Sequence, residues 1–111
     1  MIPMTAQTSI LLAVKPVDFR RQIDGLVAHC QQVLQADPRG GTLFVFINRA
    51  RTMIRVLVYE HNGYWVMTKR LSQGTFRGWP SDRQPLSPLS AGALMRLLRA
   101  ERRLEVEKKS A

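Results

Sequence analysis

The chain has 111 residues, 45% of them hydrophobic, which is enough apolar material for one folded domain and too little chain for two ordinary ones. Seventeen Lys and Arg face eight Asp and Glu, so the formal net charge is +9 at pH 7. This excess is carried mostly by Arg, whose planar donor fork matches phosphate. It therefore favours nucleic acid as a partner over an anionic membrane or an acidic protein.

The first third of the chain predicts a strand followed by a helix. Residues 10–14 form a short apolar run that Lys15-Pro16 closes, as expected of a buried strand. Asp18 is a suitable N-cap for a helix that begins near Phe19. The helix has an apolar stripe at three- and four-residue spacing, made of Ile23, Leu26, Val27, Cys30, Val33 and Leu34. Gly25 weakens the helix but offers room for close packing on a sheet, and turn residues 37–41 end it.

The middle third is typical of β-structure. Strands are predicted over residues 42–47, 53–59 and 64–71, and residues 75–79 are compatible with a short fourth strand. The polar break at 48–52 has hairpin length. Asn62-Gly63 is a strong tight-turn signal between the second and third of these strands.

The last third predicts a polar connection over residues 81–88 and a second helix. Ser87 followed by Pro88 is a typical N-cap and first-turn pair. The helix has one apolar face, made of Leu89, Ala93, Leu94, Leu97 and Leu98. Residues 100–111 alternate in charge, which indicates either a helical extension with ion pairs such as Arg103–Glu107 or a frayed tail.

These elements predict an α+β fold in which residues 1–99 form a single domain. The expected architecture is a small antiparallel β-meander of three to five strands with two packed helices, in the order β-α-β-β-β-(β)-α.

Catalytic and metal-binding patterns are weak. The candidate ligands His29, Cys30 and His61 lack the spacing of a zinc site, so structural roles are favoured. There is no nucleophile elbow, no phosphate-binding glycine loop and no convergent carboxylate set for two-metal catalysis. We expect no enzymatic activity, no cofactor and no metal. The N-terminus lacks a basic signal-peptide region, and no apolar run approaches a membrane span, so a cytoplasmic protein is expected.

Basic residues supply the nucleic-acid-binding candidates. Arg49 and Arg51 flank the predicted hairpin tip, and Arg55 follows on the return strand. In an up-and-down meander this tip and the end of the third strand lie on the same side of the sheet, where a positive edge could contact phosphates. The complete set of candidates is Arg49, Arg51, Arg55, Lys69, Arg70, Arg20 and Arg21.

Each of these candidates has a structural alternative. Arg and Lys at turns and strand ends also stay solvated and prevent edge-to-edge aggregation. Arg20 and Arg21 open the predicted first helix and could instead pair with Asp18 and Asp24. The aromatic residues Tyr64, Trp65, Phe76 and Trp79 favour core packing over base stacking.

The order of several short motifs resembles a known family. They are Asp18-Phe19-Arg20, Asp24-Gly25-Leu26, Asp37-Pro38, the run from Gly41 to Phe46, Asn48-Arg49, Ile54 to Leu57, Gly63-Tyr64-Trp65, Lys69-Arg70-Leu71, Gly74-x-Phe76, Trp79-Pro80, Leu86 and Leu97-Leu98. Over residues 9–99 they resemble the accessory proteins called TnpB of IS66-type insertion elements, which are distinct from the RNA-guided nuclease of the same label. Arg49, Lys69 and Arg70 match basic positions of that pattern. Ala50, Arg51 and Thr52 depart from it.

The resemblance implies a non-enzymatic accessory protein that supports transposition. On this basis we expect it to bind DNA at the element ends, or the transposase–DNA complex. A protein–protein adaptor that docks on the transposase without touching DNA is the first alternative, and a small metal-dependent nuclease is the second.

Overall fold

The computed structural model describes residue 5 and residues 7–100, and it confirms an α+β fold. Its elements are β1 (Ile10–Ala13), α1 (Ile23–Gln32), β2 (Leu43–Ile47), β3 (Met53–Glu60), β4 (Gly63–Arg70), β5 (Leu86–Pro88) and α2 (Ala91–Arg99). The charged extension predicted after residue 100 lies outside the described residues.

The five strands form one sheet in the order β4-β3-β2-β1-β5. The β2-β3-β4 part is the expected antiparallel meander, but β1 pairs with β2 in parallel. The sheet is therefore mixed and not purely antiparallel. The reason is that α1 connects β1 to β2 as a crossover, which returns the chain to the same end of the sheet before β2 begins.

Both faces of the sheet are covered at its central strand β2, all five of whose residues are buried. Leu43, Val45 and Ile47 face the side that carries α2, where Leu94 completes a core cluster. Phe44 and Phe46 face the side that carries α1, where they pack with its Leu26 and Cys30. This two-sided burial explains why residues 43–47 are apolar without alternation.

Helix α1 begins four residues later than the Asp18 cap predicts. Its N-cap is Gln22, whose side chain makes no capping hydrogen bond. Asp18 instead accepts a hydrogen bond from the backbone N–H of Arg20 at 2.9 Å, within its own turn. The backbone N–H of Val17 donates to the carbonyl of Ile47 at 2.9 Å. This bond ties the start of the segment 17–21 to the sheet, and the N–H of Arg21 closes a single turn by donating to the carbonyl of Asp18 at 3.2 Å. The helix begins only after this turn.

The packing of α1 also differs in part from its predicted stripe. Leu26 and Cys30 are fully buried, whereas 39% of Ile23 and 61% of Val33 are exposed. The space beside Gly25 is not occupied by the sheet. A Cβ atom at this position would lie 2.9 Å from Cβ of Arg21, so the glycine makes room for the Arg21 side chain.

Helix α2 begins at Ala91, and its N-cap is Ser90, not the predicted Ser87. The hydroxyl of Ser90 accepts a hydrogen bond from the N–H of Ala93 at 3.0 Å. Ser87 is buried in β5, opposite Leu12 of β1. The predicted polar connection thus contains a strand, because the free edge of β1 supplies hydrogen-bond partners that the local pattern does not reveal.

Residues 75–79 form no strand and instead cross the α2 side of the sheet. Phe76 and Trp79 are buried there, which confirms core packing for both. The indole N–H of Trp79 donates to the carbonyl of Val14 at 3.0 Å. Trp65 departs from the core expectation, since 54% of it is exposed on β4. The tight turn before β4 comprises His61 and Asn62, with the positive φ of 61° at His61.

Candidate nucleic-acid interface

One end of the sheet gathers the predicted basic candidates. Strands β1, β2 and β4 end there, and β3 begins there. The 17–21 segment is bonded to the last residue of β2, and the N–H of Leu71 donates to the carbonyl of Thr52 at 2.9 Å. We call this region the basic end. It comprises the segment 17–21, the turn 48–52, Arg55 and the β4 terminus Lys69-Arg70.

Three hydrogen bonds of the Asn48 side chain close the 48–52 turn, which presents two arginines. The side-chain oxygen of Asn48 accepts hydrogen bonds from the N–H groups of Thr52 and Met53 at 2.9 and 3.0 Å. Its amide also donates to the Thr52 hydroxyl at 3.0 Å. Arg51 adopts a left-handed backbone with φ of 60°. Arg49 and Arg51 are both exposed, and neither side chain donates a hydrogen bond to another described residue, so both donor forks face solvent.

Arg20 lies beside this turn and is held by Asp18. The closest contact joins Nη2 of Arg20 to Oδ2 of Asp18 at 2.7 Å, and Nε of Arg20 lies 3.0 Å from the same oxygen. The hydrogen bonds from the side chain and backbone of Arg20 lower the pKa of Asp18 to about 2, and the positive charge of Arg49 contributes. Reciprocally, the Asp18 carboxylate raises the pKa of Arg20. The alternative of an ion pair thus applies to Arg20, and the carboxylate is ionised throughout the physiological pH range.

Arg55 faces the interior of the basic end. Its Nη1 donates to the carbonyls of Phe19 and Arg21 at 2.9 and 2.8 Å, and its Nε donates to the Thr68 hydroxyl at 3.1 Å. Its Cζ lies 4.7 Å from the centroid of the Phe19 ring. These donors are directed at protein acceptors. Arg55 therefore holds the 19–21 segment in place.

Lys69 and Arg70 lie on opposite faces of the sheet, because successive residues of a strand alternate. Lys69 pairs with Ile54 on the α2 side, and its Nζ donates to the carbonyl of Leu98 near the end of that helix. Arg70 pairs with Met53 on the other face and is exposed. Arg70 thus lies on the face of the sheet that carries the 17–21 segment. Lys69 instead donates to a backbone carbonyl at the C-terminal end of α2.

Arg21 is exposed, and its aliphatic chain lies over Gly25 at the start of α1. Burial lowers the pKa of His29, and the positive charge of Arg21 contributes to this shift. Among the described residues, the Arg21 guanidinium has no hydrogen-bond acceptor. It therefore remains available to a ligand, as do the guanidiniums of Arg49, Arg51 and Arg70.

An open cleft of about 620 Å³ lies between the 17–21 segment and the 48–52 turn. It is lined by Val17, Asp18, Phe19, Arg20, Asn48, Arg49, Ala50 and Met53. The cleft is located beyond the carboxyl ends of the parallel strands β1 and β2, a common position for ligand sites in sheets with crossover connections. The sequence prediction missed it because an antiparallel meander does not bring residues 17–20 beside the turn. The apolar run, helix and second apolar run of residues 10–47 were the signal for a parallel pair.

The other titratable groups of the described residues are better suited to structural roles than to catalysis or metal binding. Burial raises the pKa of the Cys30 thiol to about 11, which disfavours the reactive thiolate. Nδ1 of His29 is buried and has no hydrogen-bond partner within the described part of the chain. Within residues 5 and 7–100, no three His, Cys, Asp or Glu side chains come together as a metal site would need. In the same residues, no helix has the length and apolarity to cross a membrane.

Comparison with known proteins assigns the chain to a family. The family model of the IS66 Orf2-like proteins matches residues 8–107, nearly the whole chain. The chain belongs to the IS66 Orf2-like family. This confirms the resemblance noted in the sequence and extends it into the charged segment after residue 99. Membership supports a transposition-associated accessory protein.

Two proteins of Sinorhizobium fredii (strain NBRC 101917 / NGR234) are similar to this IS66 Orf2-like chain. The uncharacterized protein y4jC is 40% identical over 67 residues, which are 60% of this chain and 57% of that protein. The uncharacterized protein y4hO is 32% identical over 98 residues, which are 88% of this chain and 84% of that protein. No solved structure matches the chain significantly.

Proposed function

We propose that this IS66 Orf2-like protein is a non-catalytic accessory factor that binds duplex DNA at the ends of its insertion element through the basic end. The observation that carries this proposal is the convergence of exposed arginines from three separate segments. Arg20 and Arg21 come from the segment after β1, Arg49 and Arg51 from the β2–β3 turn, and Arg70 from the end of β4.

Charge distribution supports a polyanionic ligand at this position. Among the described residues that line the cleft, Asp18 is the one that is acidic. Glu60 lies at the opposite end of β3, where it pairs with Gly63. Arginine guanidiniums bind phosphate oxygens with paired donors, and several of them on one end can contact successive phosphates of a backbone. Because hydrogen bonds already close the 48–52 turn, little backbone entropy is lost when Arg49 and Arg51 contact DNA.

Fluorescence anisotropy with a labelled element-end duplex tests this proposal. The test variant is Arg49→Ala/Arg51→Ala. The matched control is Arg39→Ala/Arg96→Ala, which removes the same charge from exposed positions outside the basic end. We expect the wild-type Kd to rise steeply between about 50 and 200 mM salt. The test variant should bind about tenfold more weakly and show a salt slope smaller by about two, whereas the control stays close to wild type.

Equal losses in the two variants would contradict the basic end as the contact surface. A scrambled duplex measured in parallel separates recognition of the element end from non-specific binding. Incubation of a supercoiled element-end plasmid with Mg²⁺ tests for the nuclease alternative, and nicking that depends on the metal would overturn the non-catalytic assignment.

A protein partner is the second candidate function, and the exposed indole of Trp65 favours it. This side chain is 54% exposed on β4, an edge strand of the sheet, and its Nε1 donates to Glu60 at 3.0 Å. An adaptor for the transposase would copurify with it, lose that association in Trp65→Ala, and show no salt-dependent binding to DNA.

A further inference from the structure

The Asp18 carboxylate lies inside the cleft that the proposed function assigns to DNA. It occupies the Nε and Nη2 edge of the Arg20 guanidinium, with contacts of 3.0 to 3.1 Å from Nε and 2.7 Å from Nη2. This is the same two-donor geometry with which arginine binds a phosphate. We propose that Asp18 is an internal anion that occupies Arg20 in the free protein, and that a backbone phosphodiester of DNA takes its place.

The exposure of the pair allows such an exchange. In the ion pair, 91% of the Arg20 side chain and 42% of the Asp18 side chain are accessible to solvent. Water screens an exposed ion pair of this kind, so it adds little net stability and one anion can replace the other without breaking the core. The guanidinium can rotate to meet a phosphate because no other described residue accepts a hydrogen bond from it.

The Asp18 carboxylate has a second hydrogen bond that does not involve the guanidinium. Its Oδ1 accepts a hydrogen bond from the backbone N–H of Arg20 at 2.9 Å, which closes a turn inside the chain. When a phosphate displaces it from the guanidinium, the carboxylate therefore stays in the cleft and repels the incoming charge. Asp18 thus lowers the affinity for phosphate both as a competitor and as a like charge.

The surrounding groups mark this position as favourable for an anion. Arg49 faces Asp18 from the 48–52 turn and stabilises its negative charge. Asn48 also lines the cleft, but its side chain is used within its own turn. A single phosphate must displace a tethered carboxylate, whereas DNA offers further phosphates to Arg21, Arg51 and Arg70 at the same time. Asp18 is thus expected to lower the affinity for isolated phosphates more than the affinity for duplex DNA.

This inference rests on the proposed function, and a double-mutant cycle tests it. The variants are Asp18→Asn, Arg20→Ala and their combination. Asp18→Asn keeps an oxygen that can accept the Arg20 backbone N–H. Asp82→Asn is the matched control, since it removes one exposed acidic charge from the 81–85 segment, outside the cleft. The readout is the Kd for the element-end duplex at about 100 mM salt, with inorganic phosphate as a competing probe.

We expect Asp18→Asn to tighten DNA binding by about three- to tenfold and Asp82→Asn to change it by less than about twofold. In the Arg20→Ala background the gain from Asp18→Asn should shrink to the part that comes from like-charge repulsion, because no guanidinium is left for the carboxylate to occupy. Inorganic phosphate should compete more strongly against Asp18→Asn than against wild type.

Equal effects of Asp18→Asn and Asp82→Asn, or a gain of the same size with and without Arg20, would overturn this inference while leaving wild-type DNA binding intact. If neither wild type nor Asp18→Asn binds DNA at low salt, both the inference and the proposed function fail. If Asp18→Asn does not fold, Asp18→Ser replaces it with the same expected outcomes, because a serine hydroxyl also accepts the turn hydrogen bond.

Discussion

The guanidinium of Arg55 stacks on the ring of Phe19, with its Cζ 4.7 Å from the ring centroid. The two residues are 36 positions apart, and the same guanidinium also donates to the Phe19 carbonyl at 2.9 Å. This contact anchors the segment that carries Asp18 and Arg20 to the central strands. It links the stability of the domain to the geometry of the cleft.

We predict that Arg55→Lys lowers the free energy of unfolding by about 1–2 kcal/mol, although it preserves the charge. An ammonium cannot reach the Phe19 carbonyl, the Arg21 carbonyl and the Thr68 hydroxyl with the fixed fork of a guanidinium. Urea unfolding followed by circular dichroism measures the change. Arg70→Lys, at an exposed position of the same sheet end, is the control and should stay within about 0.5 kcal/mol of wild type. A loss of the same size in both variants would contradict an anchoring role for Arg55.

Trp79→Phe should lower the free energy of unfolding by about 1–2 kcal/mol. The indole N–H donates to the carbonyls of Val14 and Ala13 at 3.0 and 3.3 Å, and phenylalanine leaves both without this donor in a buried site. Thermal and urea unfolding report the loss. Trp65→Phe is the matched substitution at an exposed position and should be nearly neutral. The reverse order of the two effects would show that the assignment of buried and exposed indoles is incorrect.

Stability should decrease at alkaline pH because of Cys30. Burial raises the pKa of this thiol to about 11 in the folded state, above its value in the unfolded chain. The unfolded state therefore releases the proton first, and the stabilisation present below about pH 8.5 is lost as the pH rises toward 11.

Between pH 7.5 and 10.5 we expect Cys30 to contribute a decrease of about 2 kcal/mol in the free energy of unfolding. Cys30→Ala is the control. It has its own cavity cost at every pH but should lack this part of the pH dependence. Identical pH profiles for the two proteins would refute the effect. In the native state the thiol should also react slowly with a disulfide reagent and become reactive in urea.

Ser90→Ala should destabilise the protein by about 1 kcal/mol, since it removes the acceptor for the N–H of Ala93 at the start of α2. The expected result is a lower urea midpoint with an unchanged m-value. Gln84→Ala, an exposed change before β5, serves as the neutral reference. A neutral effect of Ser90→Ala would mean that another group caps the helix.

The local sequence pattern was sufficient to predict the elements that are specified by their own composition and turn residues. The buried runs at residues 10–13 and 43–47, the 48–52 turn and the long hairpin follow from composition and turn chemistry. The local pattern gave the wrong structure where contact with a distant part of the chain decides what a residue forms. Ser87 became a strand residue because β1 offers a free edge, and Asp18 became a turn residue because the segment after β1 is bonded to β2.

The candidate site shows the same division. The sequence alone established a strongly cationic domain, the family resemblance and the basic positions from which the surface is built. Only the tertiary structure decided which cations face solvent. Arg55 and Lys69 meet carbonyls 36 and 29 positions away, whereas Arg49 and Arg51 meet none among the described residues. The physical reason is that a cation donates to whichever acceptors folding brings within reach, and that proximity is set by chain crossings that no local pattern of residues contains.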